Sequence, residues 1–123
     1  TLTAWVVVYL DPITRRALLY DFYSPLMTSK QQEIYDLYYQ QDLSLGEIAE
    51  IQKVSRPAIF DLLKRTDATL EAYEQRLGLV RKYQDSIIIL AGIHQELDSL
   101  CQKEQNLELT GIRESLKKLE ELW

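Results

Sequence analysis

The residues with the most chemical potential lie in one short run, Lys53-Val54-Ser55-Arg56-Pro57-Ala58-Ile59-Phe60-Asp61-Leu62-Leu63-Lys64-Arg65. Ser55 is a good helix N-cap. Pro57 falls in the first turn, where amides have no intrahelical partner, so a helix opens here. Its outward N-terminal residues are Ser55, Arg56, Pro57 and Phe60, with Lys64 and Arg65 further along. In a major groove Arg56 would reach guanine or a phosphate, Ser55 a phosphate, and Lys64 and Arg65 phosphates. Against these three cations stands only Asp61, which leaves a small basic patch. The same charges would also simply solvate a helix that packs on a protein partner.

Other chemistry is sparse. His94, the sole histidine, has no second ligand at metal spacing, and it reads as a surface or packing residue. Cys101 is the sole cysteine, so no internal disulfide or cysteine-based zinc site can form. No basic cluster lies near it in sequence to lower its pKa. There is no phosphate-binding loop, zinc pattern or paired-carboxylate constellation. The expectation is therefore no catalytic residue, no cofactor and no metal. Tyr35, Tyr38 and Tyr39 cluster on one segment. They could stack on single-stranded bases, but helix packing with the hydroxyls at the rim is the simpler use.

The basic patch needs helices to position it. Ser44-Leu45-Gly46-Glu47 is a capping box that opens a short helix carrying Ile48 and Ala49. Ala49 supplies the small residue where two helices cross, and Ile48, Val54, Ile59 and Leu62 supply the apolar contacts between them. Lys53 falls where a helix-turn-helix normally has glycine, and a lysine at positive φ costs roughly 1 kcal/mol. Ahead lies a second capping box, Thr28-Ser29-Lys30-Gln31, opening a helix with Ile34, Leu37 and Tyr38 inward that closes near Gln41-Asp42. From Arg15 a helical face of Leu18, Leu19, Phe22 and Tyr23 runs to Ser24-Pro25.

Beyond the patch, Leu70, Tyr73 and Leu77 continue one face to a plausible C-cap at Gly78. An amphipathic segment from about Leu79 to Gln102 carries Ile87, Leu90, Ile93, Leu97 and Leu100. Asn106 to Gly111 breaks it, and a last helix carries Ile112, Leu116, Leu119 and Leu122. The consecutive Ile87, Ile88 and Ile89 point around the helix, so a partner helix is needed from this chain or another. A homodimer is one way to supply it. The organisation is thus an atypical segment at 1–14, a helix-turn-helix domain at 15–78 and a C-terminal helical arm at 79–123. In the first of these, Trp5 to Leu10 reads as a lone strand that would cap the domain or pair with another molecule. The lack of an initial Met fits appended sequence or a fragment of a longer reading frame.

The 123 residues carry a net charge of −5, with 46% hydrophobic residues, only 4 glycines and 3 prolines, which favours an all-α fold. Acid gathers in the second half, where seven Lys/Arg face eleven Asp/Glu, against seven and eight in residues 1–66. A protein that clamps nucleic acid unaided usually has a basic face, so strong sequence-independent binding is disfavoured. The apolar run Ala4 to Leu10 is too short to span a bilayer and lacks the flanks of a secretory signal. A cytoplasmic protein is expected.

Several stretches together resemble the YlxM family. They are Leu18 to Tyr23, Leu26 to Gln31, Leu37-Tyr38-Tyr39, Asp42 to Glu50, Val54 to Asp61, Lys64-Arg65-Thr66, and Tyr73-Glu74 through Leu79. The likeness covers about residues 15 to 80 and departs from the family at Lys53 and Pro57. These bacterial helix-turn-helix proteins have genes that accompany that of the signal recognition particle GTPase. The resemblance implies a sigma-region-4-like domain followed by the helical extension. It also implies an accessory or regulatory role in the signal recognition particle pathway, with the GTPase or the RNA as partner. The alternative is a regulator that binds duplex DNA as a dimer through Arg56, Lys64 and Arg65.

Overall fold

The computed structural model describes residues 11–103 and 107–123, and the strand expected at Trp5 to Leu10 and the break at Asn106 lie outside them. Among the described residues the fold is all-α, with six α-helices and a 3-10 turn at Ser24–Leu26. They fall into two units, Asp11–Gly78 and Leu79–Trp123.

The first unit contains α1 (Pro12–Tyr23), α2 (Ser29–Tyr39), α3 (Leu45–Gln52) and α4 (Arg56–Leu77), with α4 packed on the other three. Helix α1 starts three residues before the Arg15 suggested by hydrophobic periodicity. The reason is local: the Asp11 carboxylate accepts from Thr14 N at 2.7 Å, and Pro12 is preset for the first turn. That hydrogen bond holds the Asp11 carboxyl below its usual range. Both expected capping boxes form. Thr28 Oγ1 accepts from Gln31 N at 3.1 Å while Gln31 Oε1 accepts from Thr28 N at 2.9 Å, and Ser44 and Glu47 make the same exchange. Helix α2 turns Ile34 and Tyr35 inward, whereas Leu37 and Tyr38 are only half-buried.

The buried stripe of α4 is Ile59, Leu63, Thr66, Leu70 and Glu74. Leu62 and Tyr73 sit half-buried on its flank, and Leu77 is exposed in the last turn. Glu74 is buried because the Tyr23 hydroxyl donates to its Oε1 at 2.6 Å. Helix α4 ends at Gly78, whose φ of 62° is the left-handed cap expected of glycine.

The tyrosines are packing elements. Tyr20 stacks on Tyr35 at 4.6 Å, and the Tyr35 and Tyr39 hydroxyls donate to the Asp67 carboxylate of α4 at 3.1 and 3.4 Å. Arg16 lies over the Tyr39 ring at 4.5 Å and 3.9 Å from Asp67. Burial, then Asp36, pushes the Tyr20 phenol up to about 12, and burial and Asp67 raise Tyr35 and Tyr39. A phenol held neutral in the fold stabilises it fully below the unfolded value of 10.0, and that contribution fades as pH rises toward the folded value. The denaturation midpoint should therefore fall between about pH 10 and 12. Absorbance titration should show these three of the eight tyrosines ionising only as the chain unfolds.

The second unit is an antiparallel pair, α5 (Leu79–Lys103) and α6 (Leu107–Glu121). Tyr83 meets Trp123 at 5.7 Å between ring centres, His94 Nε2 lies 2.8 Å from Glu120 Oε1, and Arg113 pairs with Asp98. His94 is thus a packing and hydrogen-bonding residue, and Cys101 is free and half-buried. Two sequence expectations change here. Gly111 lies inside α6 instead of breaking it. Of the apolar positions expected on α5, only Leu90 and Leu97 are buried, while Ile87, Ile93 and Leu100 are exposed.

Candidate interaction face of the helix-turn-helix

Helices α3 and α4 meet through Ile48 and Ile59, both fully buried, with Ala49 buried beside them. The turn between them is made by Lys53 at φ 57°, ψ 43°, and its amide donates to the carbonyls of Ala49 and Glu50. Lysine therefore takes the left-handed conformation that glycine adopts more cheaply. Lys53→Gly should raise stability by up to about 1 kcal/mol, read as a higher urea midpoint at unchanged m-value. Val54, expected to hold the two helices together, is instead exposed, because the left-handed turn directs it outward ahead of the Ser55 cap.

Ser55 Oγ accepts from Ala58 N at 3.2 Å, and Pro57 occupies the first turn. The six residues singled out from sequence, Ser55, Arg56, Pro57, Phe60, Lys64 and Arg65, are all exposed. At 100° per residue, Pro57, Phe60 and Lys64 share one flank of α4. Asp61 comes next, and Arg65 lies beyond it. Arg65 Nε donates to the Asp61 carbonyl at 3.4 Å, which holds its guanidinium along the helix. The Arg56 stem runs beside Gly46, where an added Cβ would be 4.0 Å from its Cδ, so Arg56 stands at the start of both helices.

Sequence reasoning missed the apolar content of this face. Phe60 is 52% exposed, and Ile51 and Val54, at 55% and 46%, join it from the end of α3 and the turn. Ile51 is one turn from buried Ile48, and only the rotation of α3 that also buries Ala49 turns it outward. Charge on the same stretch comes from Lys53, Arg56, Lys64 and Arg65, against Glu47, Glu50 and Asp61. Among the described residues no group of His, Cys, Asp and Glu could hold a metal, and no helix is long and apolar enough to cross a membrane.

Paired capping boxes, a small residue at the helix crossing, a left-handed turn and an exposed second-helix N-terminus define a helix-turn-helix protein. Residues 10–110 match the UPF0122 family, described as "Putative helix-turn-helix protein, YlxM / p13 like". The chain is 45% identical over 111 residues to the YlxM protein of Bacillus subtilis (strain 168), covering 90% of this chain and 98% of that one. A UPF0122 protein of Thermoanaerobacter sp. (strain X514) is 42% identical over 113 residues, covering 91% and 97%. One of Bacillus cereus (strain AH187) is 42% identical over 111 residues, covering 90% and 99%. The chain belongs to this YlxM/p13-like helix-turn-helix family.

Proposed function

We propose that this chain is a non-enzymatic, cytoplasmic accessory protein of the signal recognition particle pathway, whose helix-turn-helix docks on the particle's GTPase or RNA. The observation that carries the reading is the character of the exposed face. Ile51, Val54, Pro57 and Phe60 are exposed at the end of α3, the turn and the first turns of α4, with Arg56 and Lys64 on the same stretch. An exposed aromatic with apolar and cationic neighbours suits a folded protein or ribonucleoprotein surface. Pro57 offers no side-chain donor or acceptor to a base edge. The net charge of −5 works against affinity drawn from phosphates alone. The likeness to YlxM proteins supports the signal recognition particle as the setting.

The test is a titration of labelled particle, assembled from its RNA and GTPase, with excess duplex DNA as competitor. Saturable binding indifferent to the DNA is expected, and repeating it with RNA alone identifies the component touched. Phe60→Ala should weaken this binding about thirtyfold, as truncating a central aromatic anchor does. A second reading, a DNA-binding regulator, draws on Ser55 and Arg56 standing at the helix end that reads base edges in other helix-turn-helix proteins. Binding abolished by duplex DNA, with a salt slope reduced by about one in Lys64→Ala, would favour it.

A further inference from the structure

The second unit carries more apolar surface than its two helices cover. On α5, the side toward α6 holds Tyr83, Leu90, His94 and Leu97, while Ile89, Ile93 and Leu100 are exposed. At 100° per residue those three lie within about 40° of one another, rotated roughly 90° from the α6-facing side. On α6, Arg113, Leu116 and Glu120 share the side toward α5. Exposed Ile112 and Leu119 are rotated from it by roughly 80° in the same sense. In antiparallel helices, equal rotational sense from the contact line leads to the same side. All five side chains therefore project from one face of the hairpin. They leave roughly 500 Å² uncovered, near the upper end for one patch on a lone soluble domain and over half of what each partner gives to a standard interface.

The face is symmetric end to end. Along α5, Asp85 and Lys103 are centred on His94, and Ile89 and Leu100 within half a residue of it. On α6 the midpoint of Ile112 and Leu119 falls within about one helical turn of the same level, as the His94–Glu120 and Asp98–Arg113 contacts fix it. A two-fold axis lying in the face and crossing both helices would set Ile89 against Leu100 of a second copy. It would also bring Asp85 opposite Lys103 of that copy, because the two occupy the same angular position on α5. Self-complementarity of this kind is what an isologous interface requires.

We propose that a second copy of the chain covers this face, forming an antiparallel four-helix homodimer closed by Asp85–Lys103 pairs between copies. Sedimentation equilibrium of the full chain at roughly 100 μM, where even a micromolar dimer is populated, should give twice the 14.4 kDa chain mass. Ile89→Glu with Leu100→Glu should return it to single mass with helical circular dichroism retained. Lys103→Glu alone should weaken association about tenfold, and adding Asp85→Lys should restore it. If the double glutamate variant loses its helicity, the charge exchange decides, since both of its positions lie at the edge of the face. A monomeric wild-type chain would overturn the proposal. So would a dimer that survives the glutamates, or a charge exchange without recovery.

Discussion

Ile59→Ala is expected to lower the unfolding free energy by about 2–5 kcal/mol, the range for truncating a fully buried aliphatic side chain to alanine. Ile59 is 1% exposed and is the first inward residue of α4, one turn after the Ser55 cap. It is also where α4 meets Ile48 and Ala49 of α3, and the short α3 has few other anchors. Neighbouring side chains can shift little to fill the space, because Ile48 and Ile34 are themselves fully buried. Urea denaturation at unchanged m-value checks the loss. The adjacent Phe60→Ala should stay within about 0.5 kcal/mol of wild type, because that ring faces solvent. Two consecutive residues would then separate the stability of the helix-turn-helix from its binding. Equal destabilisation by both substitutions would mean that α4 sits in a different rotation.

The second large effect is expected at Tyr23. Its hydroxyl donates to buried Glu74 at 2.6 Å, linking the end of α1 to the last turns of α4. Tyr23→Phe keeps the ring and its 5.9 Å contact with Tyr73 but removes a donor from a buried carboxylate. The cost should be about 1.5–3 kcal/mol, as for hydrogen bonds to charged groups. Pairing it with Glu74→Leu should cost less than the sum of the single changes, since each single change already removes the shared hydrogen bond. A double-mutant cycle by thermal or chemical unfolding measures that coupling. Strict additivity would mean that the hydrogen bond contributes nothing.

The elements that the sequence made legible are those governed by neighbours along the chain. Thr28 with Gln31, Ser44 with Glu47, and Ser55 with Ala58 each announce a helix start through bonds spanning three residues, and all three starts are observed. Lys53 and Gly78 mark left-handed turns because helix ends demand them. Burial was less legible, since it depends on where a helix is rotated by distant partners. Val54 and Leu77 are apolar and correctly spaced, yet exposed. Glu74 is charged, yet buried, because Tyr23, far off in sequence, satisfies it. Gly111 lies inside α6 although glycine lowers helix propensity, and Leu116 and Trp123 on the α5 side show the packing that overrides it. The six outward residues of α4 were legible from its cap and period. The apolar share of that face was not, because exposed Ile51 and Val54 look like core residues in a sequence.

Asp67 has a consequence for how the first unit comes apart. This one carboxylate on α4 holds the Tyr39 and Tyr35 hydroxyls of α2 and the guanidinium of Arg16 on α1. Neither α1 nor α2 can detach without stripping partners from an anion that is half-withdrawn from water, so peeling one helix loosens the hold on the other. The opening steps that expose amides should therefore be merged. Hydrogen exchange across α1, α2 and the middle of α4 should share one slow rate, that of a single cooperative foldon. Asp67→Ala should split that rate in two, with α1 exchanging ahead of the rest.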